Sequence, residues 1–181
     1  MRQKAVSLAF IGILSGVFSL PALANPAGAE EKAVLSNEQI QQALQAPAAT
    51  RSFAPRGLAR RQGGDSGQSV NLNIPFEHNS SALLPQAAAQ LKELELALTS
   101  ASLGKDKFVV AGHTDSKGSA AYNKQLSLRR AEAVKKFLVA KGMPAGRLTT
   151  VGYGSEKLLA PDRPEDPSNR RVEIRDLGPA N

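Results

Sequence analysis

A chain of 181 residues fits one domain with extensions. It contains no cysteine, which excludes disulfides, thiolate metal sites and a cysteine nucleophile. Aromatic residues make up only 4%, so small aliphatic side chains must fill the core; the formal charge of +7 favours an anionic polymer without choosing among nucleic acid, acidic lipid and cell wall.

Residues 1–24 read as a secretory signal peptide. Arg2 and Lys4 form a basic start, an apolar stretch runs from Ala5 to Leu20, and Pro21-Ala22-Leu23-Ala24 forms an A-x-A cleavage pattern before Asn25. The apolar run is short for a spanning helix. Cleavage removes Arg2 and Lys4 as its only charges, leaving +5 of the +7. The expectation is an exported protein, and without a cysteine after the cleavage point it carries no lipid anchor.

Residues 25–68 read as a linker or tail rich in Ala, Pro, Gln, Gly and Arg. Within it, Ser36 and Gln39 have capping-box spacing, and Leu35 and Ile40 have hydrophobic-staple spacing. This predicts a short helix near 36–45, ended before Pro47. So short a helix is marginal alone. It reads either as transient or as a docking peptide for another protein. Gly63-Gly64-Asp65-Ser66-Gly67 then breaks the chain.

The pattern becomes globular over 69–177, with 178–181 as a C-terminal tail. Val70, Leu72, Ile74 and Phe76 alternate with polar residues and predict a half-buried strand, with Pro75 at an edge or an end. Leu84 to Leu98 has helical spacing. Phe108-Val109-Val110-Ala111-Gly112 is a buried strand. Ser119 to Lys141 is a longer helix, ended by Gly142 with Pro144 beyond. Leu148 to Tyr153 and Arg171 to Arg175 give two more strands. The order β-α-β-α-β-β predicts an α+β, two-layer sandwich with helices on one face of a mixed sheet.

Two places could carry chemistry. Gly112 to Gly118 lies at a strand-to-helix junction, where polar residues commonly face a ligand crevice. Asp115 and Ser116 could equally just start and cap the helix. On a wheel of roughly 100° per residue, Tyr122, Leu126, Ala133, Val134 and Phe137 form the core face of the long helix, and Asn123 and Arg130 fall inside that stripe. A buried guanidinium needs an acidic partner. The wheel leaves open whether Arg130 meets a carboxylate of the protein or of a ligand.

These residues carry a family resemblance. His113-Thr114-Asp115, Gly118, Tyr122-Asn123, Leu126-Ser127 and Arg130-Ala131, with Val134 and Leu138, resemble the signature of OmpA-like domains. That family is shared by outer-membrane protein A tails, peptidoglycan-associated lipoproteins and flagellar stator B subunits. Gly152-Tyr153-Gly154 and Asn169-Arg170-Arg171-Val172-Glu173-Ile174 extend the likeness, and Phe76 with Ser81 resembles the opening strand and the loop after it. The match covers roughly Val70 to Leu177.

The resemblance implies a non-catalytic periplasmic protein that binds peptidoglycan through the diaminopimelate of its stem peptide. Asp115 takes the ligand's ammonium and Arg130 its carboxylate, to which arginine presents a bidentate fork. Asn123 and Asn79 match positions that hydrogen-bond the same ligand, and Thr114 belongs to the motif around Asp115. Arg170 or Arg171 matches a basic position beside the pocket, with an internal role equally open. Neither cofactor nor metal is implied. A second reading makes the protein a periplasmic adaptor, whose 25–68 tail docks an envelope complex and links it to the outer membrane.

Two other classes fit less well. An enzyme would have to work with His78 and His113 alone, in no HExxH spacing. A nucleic-acid binder would lack aromatic stacking platforms.

Overall fold

The computed structural model describes residues 34–45 and 68–179. The expected signal peptide, most of the expected tail and the last two residues lie outside the described residues. The elements in order are α1 (Asn37–Gln45), β1 (Ser69–Leu72), α2 (Ala87–Leu98), β2 (Asp106–His113), α3 (Ala120–Ala140), β3 (Leu148–Gly154) and β4 (Val172–Pro179). From β1 onward this is the β-α-β-α-β-β order expected, and the fold is α+β.

The strands form one mixed sheet in the order β1-β4-β2-β3. β4 pairs antiparallel with both β1 and β2, and β2 pairs parallel with β3. Register places Val70, Ile174, Val110 and Thr150 in one row, and Leu72, Val172, Gly112 and Gly152 in another. These rows face the helices. Alternation sends Asn71, Glu173 and Arg175 to the opposite face. β1 is shorter than expected: it ends at Leu72, and Phe76 makes only an isolated bridge to Leu83. Pro75 cannot donate to a ladder and interrupts the run.

α3 is bounded by its ends. The Ser119 hydroxyl accepts from Tyr122 N at 3.2 Å, a helix N-cap. At the other end Gly142 takes φ +99°, and Met143 N donates to Leu138 O at 3.1 Å. That is a Schellman closure, which needs a left-handed residue. The helix lies almost directly on β2 and β3. A Cβ on Gly112 would sit 2.0 Å from Ser127 O, and one on Gly152 would sit 2.5 Å from Lys124 O.

This contact shifts the buried face of α3 relative to the wheel. The buried residues are Asn123, Leu126, Ser127, Arg130, Ala131, Val134 and Leu138. Tyr122, placed in the core by periodicity, is 41% exposed. The glycines bring the Ser127 side of the helix onto the sheet, and Tyr122 turns outward.

α1 also departs from the sequence reading. Its capping box is reciprocal: Gln39 N donates to Ser36 Oγ at 3.3 Å and Ser36 N to Gln39 Oε1 at 3.0 Å. It is neither solitary nor exposed on its apolar side. Ile40 and Leu44, one turn apart, are fully buried in the same core as Leu91, Leu94 and Leu98. The Gln90 side chain bonds both the N–H and the carbonyl of Leu35, at 2.8 and 3.1 Å, and Glu93 accepts from Asn37 N at 2.8 Å. Tertiary packing supplies the stability that so short a helix lacks alone.

Candidate functional site

The last residues of β2 emerge between β3 and the chain entering β4. His113 N donates to Arg171 O at 3.0 Å, and Thr114 N donates to Gly154 O at 2.9 Å. Asp115 follows, still buried. Its Oδ2 accepts from Arg170 Nη1 at 2.7 Å and its Oδ1 from Lys117 N at 3.3 Å. Asn123 reaches back from α3 to hold this loop, donating Nδ2 to Lys117 O at 2.8 Å and to Asp115 O at 3.3 Å. The amide nitrogen of Asn123 is therefore engaged within the protein.

Arg130 enters from α3, about nine-tenths buried. Its Nε donates to Ser80 O at 2.9 Å, and its ζ-carbon lies 5.0 Å from the Phe76 ring centroid. That distance is right for a cation–π contact. Among the described residues no carboxylate forms an ion pair with Arg130. Burial lowers its pKa, and the Arg170 charge lowers it further, against the pull of Tyr122 and Asp115. A guanidinium remains charged despite such a shift.

Arg130, Phe76, Arg170, Arg171, His113 and Pro167, with residues 73–75, line an open cleft of about 210 Å³. Asp115 is not in its wall; the Arg170 that holds it is. Thr114 Oγ1 is buried without a hydrogen-bond partner among the described residues. Asn79 is exposed and sits at φ +50°, a left-handed conformation that asparagine tolerates. Its carbonyl accepts from Tyr122 Oη at 3.3 Å. Thus Tyr122 and Arg130 hold the consecutive carbonyls of Asn79 and Ser80 over α3.

Under the cleft lies a polar network on the sheet. His113 is buried, its Nε2 lies 3.1 Å from Glu173 Oε2, and its ring stacks on Tyr153 at 5.4 Å. Burial pushes the His113 pKa down, outweighing Glu173. The imidazole is therefore neutral near pH 7 and donates to the carboxylate. For Glu173 burial acts upward, but hydrogen bonds from His113 and Ser69 and the Arg175 charge prevail, and its pKa falls from 4.5 to about 2.

Of the residues singled out in the sequence, the fold brings Asp115, Thr114, Asn123, Arg130 and Arg170 to one end of β2. Of the two basic candidates, Arg170 faces Asp115. Arg171 bonds inward, to Asn71 Oδ1 at 2.8 Å, Asn169 O at 3.3 Å and Lys157 O at 3.2 Å. Ser80 was not foreseen, because it acts through its carbonyl. Phe76 was foreseen only as a strand residue, not as the surface beneath a guanidinium.

This combination of an α+β sandwich, a buried arginine and an acid at the end of β2 matches a known class. The OmpA family matches residues 75–172, more than half of the chain. The chain belongs to the OmpA family. Outer membrane porin F of Pseudomonas fluorescens is 41% identical over 106 residues, 58% of this chain and 32% of that protein. The peptidoglycan-associated lipoprotein of Pseudomonas aeruginosa is 36% identical over 102 residues, 55% of this chain and 59% of that protein. The chain thus spans a third to three-fifths of these two relatives. The periplasmic domain of Helicobacter pylori MotB has the same fold, with a TM-score of 0.54 at 24% identity, covering 66% of this chain and 82% of that one. Among the described residues no helix is long and apolar enough to cross a membrane.

Proposed function

We propose that this is an exported, non-catalytic peptidoglycan-binding protein, and that its site clamps the diaminopimelate end of a stem peptide. The observation that carries the reading is Arg130: a buried cation at a cleft that pairs with no carboxylate among the described residues. Leaving such a charge uncompensated is costly, so a ligand carboxylate there is strongly favoured. Asp115 supplies the complementary charge. Arg170 donates to its Oδ2 and orients it, and an ionised carboxylate keeps further lone pairs for the ligand's ammonium. Asn123 shapes the loop, Thr114 precedes Asp115 in it, and Asn79 adjoins the Ser80 carbonyl that Arg130 holds. The adaptor reading draws less support, since the apolar pair on α1 is already covered by this domain.

Pull-down with purified sacculi tests the clamp. Arg130→Ala and Asp115→Ala should each weaken binding on the order of a hundredfold while the domain stays folded. Calorimetric titration with soluble stem peptides carrying diaminopimelate, amidated diaminopimelate or lysine then tests specificity. Only the first offers both ammonium and side-chain carboxylate. Equal affinities for all three would remove Arg130 as the reader of the carboxylate, and the assignment with it.

A further inference from the structure

We infer that Asn169 is a positioning residue for this site: it fixes the 154–168 loop so that Arg170 and Asp115 meet across a set gap. The inference rests on the peptidoglycan reading for its functional consequence, and on hydrogen bonds for its structural one.

The Asn169 side chain is fully buried. Its Oδ1 accepts from Leu159 N at 2.7 Å and Ala160 N at 2.9 Å. Its Nδ2 donates to Arg163 O at 3.0 Å and Pro164 O at 3.1 Å. A primary amide has two lone pairs and two hydrogens on these atoms, and here all four are used. One side chain thus gathers both limbs of a loop that has no regular secondary structure of its own across those positions.

The loop passes this order to the site. Pro164 O also accepts from Ser116 N at 3.0 Å. Ser116 directly follows Asp115, and Arg170 directly follows Asn169. A single carbonyl therefore ties the residue after the acid to the residue before the arginine. The Lys117–Glu165 ion pair spans the same gap at 3.7 Å, but both groups are exposed and it contributes little. Only an amide serves here. Aspartate keeps the two acceptor bonds but loses both donors, and alanine loses all four, leaving the buried Ala160 N–H without this partner.

Nitrogen-detected NMR of the ligand-free protein reads rotation about the Arg170 guanidinium, which is slow while Asp115 holds Nη1. In Asn169→Asp the unfolding transition should remain cooperative, Arg170 should rotate freely, and sacculus affinity should fall about tenfold. In an Arg170→Ala background the same substitution should change affinity little, because the residue through which it acts is gone. Slow Arg170 rotation in both Asn169→Asp and Asn169→Ala overturns the inference. So does an equal loss of affinity with and without Arg170, and so does failure of both variants to fold. If the unaltered protein itself ignores sacculi, the peptidoglycan reading falls, while the guanidinium measurement still decides the positioning role.

Discussion

The α1–α2 corner and the β2–α3 junction are both buried, but they bury different chemistry. At the corner, Ile40 and Leu44 meet Leu91, Leu94 and Leu98, and the buried Gln90 side chain is bonded to the Leu35 backbone. At the junction, Ser127, Asn123, Arg130, Thr114 and Asp115 are all inside. Apolar burial is non-directional and tolerates a change of shape. The polar junction depends on bond geometry, and its pairing is incomplete: among the described residues Arg130 has no carboxylate partner and Thr114 Oγ1 no hydrogen-bond partner. Stability resides mainly in the first region, and the proposed recognition in the second.

The sharpest way to break this division is Gly112→Ala. The new Cβ would meet the Ser127 backbone carbonyl at 2.0 Å. Neither side can yield by rotating a side chain, so α3 must lift. We expect a loss of about 4 kcal/mol or more, together with loss of sacculus binding. An unchanged melting temperature would contradict the close approach. Ile40→Ala tests the other region. It should destabilise by about 2–4 kcal/mol through the cavity left in the core, with wall binding unaltered below the melting transition. A chain begun at Ser69 should lose at least as much. Stability indifferent to α1 would show that the corner is dispensable.

Acid should act on the polar network without touching the corner. Both His113 and Glu173 have pKa values lowered by folding, from 6.5 and from 4.5 to about 2 respectively. The unfolded chain therefore binds more protons, and stability falls as pH falls: first below about pH 6.5 through His113, then below about pH 4.5 through Glu173. Urea midpoints should register a loss on the order of 2 kcal/mol by about pH 3. Glu173→Gln should flatten the lower part of that curve. The smallest effect is expected at Lys124–Glu156, a 2.8 Å pair with both side chains more than half exposed. Glu156→Ala should cost no more than about 0.5 kcal/mol and leave binding unchanged.

Much of the fold was legible because its signals are local. Ser119 and Gly142 delimit α3, and the apolar run at Phe108 marks the central strand. The capping box of α1 was equally plain, but its docking was not: what holds it is Gln90 and an apolar groove 50 residues away. Tyr122 was misplaced because periodicity locates a stripe only to within a residue. The Gly112 and Gly152 contacts that set the rotation of α3 are tertiary. At the site, Asp115 and Arg130 stood out through their motif and through a charge in an apolar stripe. The Arg170–Asp115 pair, the Ser80 carbonyl and the fourfold bonding of Asn169 are distance relations that no spacing rule encodes.

The register of the sheet has a mechanical consequence. β1 runs in the same direction as β2, each antiparallel to the β4 between them, and Ser69 lies level with Val109 while Leu72 lies level with Gly112. The site at Asp115 is therefore beyond one end of the sheet, and the chain before Ser69 enters from the other. On the proposed clamp, a load between Asp115 and Ser69 would act along the strand axes of the sheet. The inter-strand hydrogen bonds lie across that direction and must slide together in shear instead of opening one after another like a zipper. Loaded that way, the short β1 would share the force over its whole ladder with β4 at once.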